Sequence, residues 1–181
     1  MKQHGPWQIL ASEEVYHDSW ITLTKNDVIR PDGERGTFAC ARIKSGVAVL
    51  ALDDAGVVYL AQEFRFAVGR EMLEVCSGGL EPDEEPLAAA QRELKEELGI
   101  EAAEWTEVGV IDPIASIVVA PVRLFLARGL RIGAPAHEST EKIEIVKMTL
   151  REAVQAVLAG RITHAPSCVL LLRAALEQGR P

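Results

Sequence analysis

Apolar and polar residues alternate near the start of the chain as they do in half-buried strands. Residues 21–24, Ile-Thr-Leu-Thr, show this period of two, and the Arg-Pro-Asp-Gly sequence at 30–33 is typical of a turn. The pattern predicts strands at 8–16, 20–29 and 36–43, with the last two forming a hairpin. So few strands make a thin sheet, which needs another surface to cover it.

Longer apolar runs follow and predict a mixed core. Ala- and Leu-rich segments with 3–4 spacing predict helices at 86–98, 150–159 and 167–178. Apolar runs between turn sequences predict strands at 47–53, 57–63, 72–76, 104–110, 118–127 and 143–148. This order indicates an α+β or α/β sandwich. We divide the chain into an N-terminal β appendage at 1–45 and a main domain at 46–181.

Composition narrows the class of protein. The 181 residues are 48% hydrophobic and 25% charged, as in soluble globular proteins. A net charge of -8 and the lack of a basic block argue against a nucleic-acid partner. No apolar run is long enough for a membrane span, and the N-terminus has no apolar signal core. An odd number of cysteines without CxxC spacing predicts free thiols, and we therefore expect a cytoplasmic protein.

The helix predicted at 86–98 carries candidate chemistry. Glu93, Glu96 and Glu97 stand at i, i+3 and i+4, so their carboxylates share one helix face. Clustered carboxylates repel each other, and hard divalent cations such as Mg²⁺ or Mn²⁺ relieve the repulsion. Arg92 projects to one side and can hold Glu84 or order the preceding loop. A solvated acidic helix with ordinary ion pairs is the simpler alternative.

The spacing around this helix resembles the box of the Nudix hydrolases, G-x5-E-x7-R-E-[apolar]-x-E-E-x-G-[apolar], and it departs from the pattern at no defining position. The matching residues are Gly78, Glu84, Arg92, Glu93, Glu96, Glu97 and Gly99. Upstream, Q-E-F-R at 62–65 and E-M-L-E-V at 71–75 are similar to elements of the ADP-ribose pyrophosphatase branch. The resemblance implies a Nudix α/β/α sandwich with an N-terminal β-sheet appendage, which that branch exchanges across a homodimer.

The resemblance also implies roles for single residues. The implied metal ligands are Glu93, Glu96, Glu97 and the carbonyl oxygen of Ser77, with Arg92 and Glu97 also counted as catalytic. Arg65, and less strongly Arg70, match phosphate-binding positions, and Trp20 lies where relatives place an aromatic ring against the base. Arg65 could instead form an ion pair, and Trp20 could belong to the core or a dimer interface. The general base is expected at Glu138 or Glu141, with Glu138 preferred, although either could be a solvated loop charge.

The implied function is metal-dependent hydrolysis of a nucleoside diphosphate linked to a sugar, with ADP-ribose cleaved to AMP and ribose 5-phosphate as the first choice. One departure leaves the substrate open. After the box, the branch commonly has Ser-Pro-Gly and an acid, whereas residues 112–120 here have no Gly or acid after Pro113. ADP-sugars, GDP-mannose, dinucleoside polyphosphates, coenzyme A and oxidised nucleoside triphosphates remain alternatives. A non-catalytic nucleotide-sugar-binding module and a structural adaptor are alternatives from other classes.

Overall fold

The computed structural model describes residues 1–136 and 142–179, which fall into two compact units. The first unit comprises Met1–Ser45 and Asp112–Pro121, and the second comprises Gly46–Ile111 and the described part of Val122–Pro181. The ten residues from 112 to 121 lie inside the segment assigned from sequence to the main domain, but they cluster with the N-terminal strands.

The first unit is a sheet in the order β1-β2-β3-β4-β10. Its strands are β1 (Lys2–His4), β2 (Trp7–His17), β3 (Ile21–Ile29), β4 (Arg35–Ile43) and β10 (Val118–Val119). Strands β3 and β4 form the predicted hairpin, in register from Ile21 opposite Ile43 to Ile29 opposite Arg35. Strand β10 runs parallel to β4. Strand β1 had not been predicted from the sequence.

The second unit contains the other sheet, in the order β12-β6-β5-β11-β9, with β7 added to β6 and β8 added to β5. Its strands are β5 (Gly46–Leu52), β6 (Val57–Arg65), β7 (Arg70–Glu74), β8 (Cys76–Gly79), β9 (Ile100–Ile111), β11 (Val122–Ile132) and β12 (Glu144–Thr149). The single strand predicted at 118–127 is wrong. It breaks before Pro121, whose ring fixes φ and whose nitrogen carries no hydrogen for a ladder, and β10 and β11 belong to different sheets.

Strand β5 shows how the helices cover this sheet. Ala48, Leu50 and Leu52 face one apolar cluster, which also contains residues of α2 (Leu150–Leu158) and α3 (Ala165–Gln178). The alternate residues, 47, 49 and 51, face a second cluster with α1 (Pro86–Leu98). Because successive side chains of a strand point to opposite faces, one buried strand supports both layers. This confirms the predicted α/β/α arrangement. No helix in the described ranges is long and apolar enough to cross a membrane.

Helix α1 begins and ends at the residues predicted from the sequence, and its last turn also binds the chain that follows β11. Gly99 adopts φ +66° and donates its N–H to Lys95. A Cβ at Gly99 would lie 2.6 Å from the backbone of Ala134, so the position requires glycine for space as well as for conformation. The Ala136 N–H donates to the Glu96 carbonyl at 2.9 Å. The C-terminal end of α1 therefore anchors the chain just beyond β11.

Candidate active site

Arg92 is the centre of a carboxylate cluster on α1. Its Nε and Nη2 bind the two carboxylate oxygens of Glu84, each at 2.9 Å. Its Nη1 lies 2.8 Å from Glu93 and 3.1 Å from Glu96, and Nη2 also donates to the Gly79 carbonyl at 3.2 Å. These partners, Glu84 above all, hold the pKa of Arg92 above its ordinary value. The Arg92–Glu84 pair that the sequence suggested is therefore present, and it ties the loop before α1 to the helix.

The carboxylate of Glu93 lies directly against the backbone of β8. A Cβ placed on Gly78 would come within 2.0 Å of the Glu93 carboxylate. Such an approach is impossible for any residue with a side chain unless Glu93 moves. Gly78 is held in place by its pairing with Val47 of β5. The glycine that opens the box therefore leaves the space that the Glu93 carboxylate occupies, and a side chain there would displace this carboxylate.

Glu97 is the most buried of the helix carboxylates, with 6% of its surface exposed. It accepts a hydrogen bond from the Ser77 N–H at 3.3 Å, and the Cys76 thiol is a further hydrogen-bond partner. Burial raises the pKa of Glu97 to about 8, the Cys76 contact opposes the rise, and the nearby charge of Glu93 adds to it. Two carboxylates thus lie close together where water stabilises them poorly.

This donor set fits a hard divalent cation. The residues that could hold one are Glu93, Glu96, Glu97 and Ser77, the last through its backbone carbonyl. All of them offer oxygen, the ligand that Mg²⁺ and Mn²⁺ prefer. Among residues 1–136 and 142–179, no three His, Cys, Asp or Glu side chains are already grouped as a metal site, and Arg92 pairs with two of these carboxylates instead. The buried charge near Glu97 is the feature that a cation would stabilise.

Arg65, at the end of β6, forms a second arginine cluster. Its Nε and Nη2 both bind one oxygen of Glu74, at 3.2 and 2.8 Å, and Nη1 lies 2.9 Å from Glu63. Burial opposes its charge, but Glu74 and Glu63 keep the pKa of Arg65 above its ordinary value. Arg65 also lies close enough to Glu97 to lower that pKa. The structure thus brings Arg65 near the box carboxylates. Arg65 also forms ion pairs with Glu63 and Glu74, which was the alternative interpretation of this residue.

The remaining predicted residues are Arg70, which lies opposite Arg65 in the pairing of β6 with β7, Trp20 of the first unit, and two glutamates outside the described ranges. Arg70 donates to the Thr163 hydroxyl at 2.9 Å. Trp20, in the first unit, is 63% exposed, which excludes a core position within this chain. The Lys44 ammonium lies 5.2 Å from its ring centroid, and both line a cavity of about 320 Å³. Glu138 and Glu141 lie outside the residues that the structure describes.

Sequence reasoning missed Glu74. It is only 3% exposed, and its neighbour two positions back, Met72, is also buried, so both point to the inner face of β7. A carboxylate at an inward position of an alternating strand needs a buried partner. That signal was available in the sequence, but the partner's identity was not.

Comparison with known proteins places the chain in a family. The NUDIX domain model matches residues 42–166, and the model of the nucleoside diphosphate sugar hydrolase N-terminal domain matches residues 7–39. Because the first match covers more than half of the chain, the protein belongs to the Nudix family. It is a Nudix enzyme, and such enzymes generally need a divalent metal ion. The resemblance stated from the box residues is confirmed.

Individual relatives narrow the comparison. The chain is 30% identical over 168 residues to the ADP-ribose pyrophosphatase of Mycobacterium tuberculosis, which covers 91% of this chain and 81% of that protein. It is also 30% identical over 158 residues to the ADP-ribose pyrophosphatase of Bacillus subtilis, covering 86% and 85%. A crystal structure of an ADP compounds hydrolase matches all of both chains with a TM-score of 0.81 at 23% identity, which confirms the fold.

Proposed function

We propose that this protein hydrolyses the diphosphate of a nucleoside diphosphate linked to a sugar, with ADP-ribose cleaved to AMP and ribose 5-phosphate. One observation carries the proposal: the buried carboxylate of Glu97 lies beside Glu93 on the helix that Arg92 ties to β8. This arrangement gathers negative charge at one place, which suits divalent cations, and bound cations would in turn attract the phosphates of the substrate. The names of the two pyrophosphatase relatives support the substrate class.

The box carboxylates are the proposed cation ligands. Glu93, Glu96 and Glu97, with the carbonyl of Ser77, would hold Mg²⁺ or Mn²⁺. When bound, the metal ion supplies charge neutralisation on the phosphates and lowers the pKa of a water molecule. Arg92 keeps the loop before α1 in place and counters the repulsion between the carboxylates. It thus prepares the ligand set and has no need to touch the substrate.

Other residues are proposed to bind the substrate and to move the proton. Arg65 offers a guanidinium near Glu97, and its fork of N–H groups suits phosphate oxygens. Arg70 is a second phosphate candidate. Trp20 exposes enough of its ring to stack on a base. A water molecule attacks one phosphorus, and the leaving phosphate takes the electrons of the broken P–O bond. Glu138 or Glu141 is the proposed base that removes the proton from this water.

The choice among substrates rests on the two pyrophosphatase relatives and on the residues that follow the box. Residues 112–121, where the sequence departs from the branch, pack with the first unit and contribute β10. The departure from the branch in this segment keeps ADP-sugars and GDP-mannose as candidates beside ADP-ribose. Dinucleoside polyphosphates and coenzyme A follow them.

We also propose a cytoplasmic homodimer. Strands β1 to β4 form a thin sheet, the first unit exposes aromatic residues such as Trp20 and Phe38, and a second copy of the appendage would give them a covering surface. Cys40, Cys76 and Cys168 are free thiols, which supports a reducing compartment. Size-exclusion chromatography with light scattering would measure the oligomeric state, and a monomer would overturn the proposed dimer.

A substrate panel tests the proposed function. Purified protein with Mg²⁺ or Mn²⁺ is given ADP-ribose, ADP-glucose, GDP-mannose, diadenosine polyphosphates, coenzyme A and nucleoside triphosphates, and chromatography identifies the products. We expect AMP and ribose 5-phosphate from ADP-ribose, and loss of this activity in Glu97→Gln. Glu177→Gln, an exposed change on α3, is the control and should remain active. Turnover of none of these compounds would overturn the proposal.

A further inference from the structure

The side chain of Glu74 is a buried charge outside the box. It lies at the end of β7 with 3% of its surface exposed. A carboxylate in such a place is costly unless it is paired and hydrogen-bonded. The described contacts of this side chain converge on one oxygen, Oε2, which accepts from Arg65 Nε at 3.2 Å and from Nη2 at 2.8 Å. Both donors belong to one guanidinium, so the pair fixes the orientation of the arginine as well as its place.

A second layer holds Glu74 itself. Ser167, on α3, accepts a hydrogen bond from the Val75 N–H at 2.9 Å, so the backbone next to Glu74 is tied to this helix. The Ser167 hydroxyl also lies 2.9 Å from His164 Nδ1. The same imidazole nitrogen is 3.6 Å from Glu74 Oε2 and closes that side of the carboxylate. The carboxylate therefore has little freedom to move away from Arg65.

The far side of Arg65 stays accessible. Its side chain is 35% exposed, against 4% for that of Glu74. A guanidinium has five N–H groups, and among the described contacts Arg65 uses three of them on Glu74 and Glu63. Donors on Nη1 and Nη2 thus remain for a ligand. These donors belong to the guanidinium whose charge lowers the pKa of Glu97, so Arg65 lies near that carboxylate.

We propose that Glu74 is a positioning residue that holds Arg65 with these donors directed at the diphosphate of the substrate. The inference rests on the proposed function, because it needs a diphosphate at this place. A long arginine side chain loses rotational freedom when it binds a ligand, and a fixed one has lost it already. Glu74 would act through Arg65 alone and would touch no substrate. Its loss should therefore weaken substrate binding more than it slows the chemical step.

Three substitutions of Glu74 distinguish the effect of the position of its oxygen from the effect of its charge. Glu74→Gln keeps an oxygen where Oε2 lies, Glu74→Asp keeps the charge but withdraws it by one methylene, and Glu74→Ala removes both. We expect KM for ADP-ribose to rise about tenfold in the Asp and Ala variants, because neither keeps an oxygen within reach of both Arg65 donors. The Gln variant should stay within about threefold of the wild type. If Glu74→Asp keeps the wild-type KM and Glu74→Gln does not, the charge of residue 74 and not the position of its oxygen determines KM, and the inference is overturned.

A double-mutant cycle tests whether Glu74 acts through Arg65. In an Arg65→Ala background, Glu74→Asp should change KM no further, since the residue that it positions is gone. Independent, additive effects on KM would contradict the inference. Glu107→Asp is the matched control, because Glu107 also holds an arginine, Arg123, at 2.6 Å on the exposed face of another strand pair. Its KM should equal that of the wild type.

Two further measurements keep the result interpretable. Ile162→Val, at a buried position with 1% exposure, weakens the core beside His164 without touching a charge. If it raised KM as Glu74→Asp does, lost stability would explain the effect and the inference would fall. Binding of ADP in EDTA needs no turnover. If ADP binding depended on Arg65 but no panel compound were hydrolysed, the proposed function alone would be overturned. The Glu74 variants would then be compared by their affinity for ADP.

Discussion

Arg92 and Arg65 are each surrounded by carboxylates, but in different ways. The partners of Arg92 (Glu84, Glu93 and Glu96) lie within twelve positions of one another, on α1 or in the loop before it. Arg65 instead pairs with Glu74 from the adjoining strand, and His164, the residue before α3, lies against the same carboxylate. The first cluster is local in sequence, whereas the second joins segments about a hundred residues apart.

The difference in burial between the two clusters indicates that Arg92 and Arg65 have different roles. Arg92 gathers charges that belong to the proposed cation site, and its own partner Glu96 is 45% exposed at the side chain. Arg65 is held from its buried side and stays accessible on the other. A cluster that prepares ligands can be open to water, since the metal and its water molecules must enter. A side chain that is meant to meet a phosphate in one orientation needs a rigid anchor behind it.

The largest effect is expected from Gly78→Ala. The new methyl group would overlap the Glu93 carboxylate and displace it from Arg92 and from the proposed metal site. A displacement of about 1 Å in such a site can lower the rate roughly 100-fold, and we expect kcat/KM to fall by about that factor. Steady-state kinetics with ADP-ribose measures it. Gly36→Ala is the control, because a Cβ there meets its nearest neighbour, the Arg30 side chain, at an ordinary 3.4 Å. Equal activity in both variants would contradict the close approach of Glu93.

Ser167→Ala probes the anchor of the second cluster. Ser167 has no exposed surface, and its loss leaves the Val75 N–H without its acceptor. We expect the free energy of unfolding to fall by about 1–3 kcal/mol, measured by urea denaturation. Ser12→Ala removes an exposed hydroxyl that bonds Asn26, and it should change stability by less than about 0.5 kcal/mol. If the two variants lose the same small amount, Ser167 does not hold β7 and α3 together.

The smallest effect concerns stability without metal. The pKa of Glu97 is raised to about 8 by folding, from an ordinary 4.5, so the folded state binds more protons between these values. Stability contributed by the protonated carboxyl is therefore present below pH 4.5 and is lost as pH rises to about 8. In EDTA at pH 8 or above, Glu97→Gln should raise Tm by about 2–4 °C, and the gain should vanish near pH 4. If the Tm of Glu97→Gln lay below that of the wild type at every pH, the ionised Glu97 side chain would not destabilise the folded protein.

The sequence was sufficient for the local features of this molecule. The bounds of α1 followed from Pro86, the Ala- and Leu-rich turns and Gly99, and the Arg92–Glu84 pair followed from spacing on and before a helix. The same reasoning failed at Pro121, where one apolar run serves two sheets. It could not supply the partners of Glu74 either, because Arg65 and His164 meet it only after β6, β7 and the start of α3 have packed.

The central claim is that the box carboxylates form a divalent-cation site, and titration with Mn²⁺ followed by electron paramagnetic resonance tests it without any substrate. The account predicts that wild-type protein and Glu177→Gln bind Mn²⁺ with equal affinity. It predicts that Glu97→Gln binds at least about tenfold more weakly, as expected when a group that supports a metal is lost. Equal Mn²⁺ affinity in Glu97→Gln and wild type, with both proteins folded, would contradict the claim.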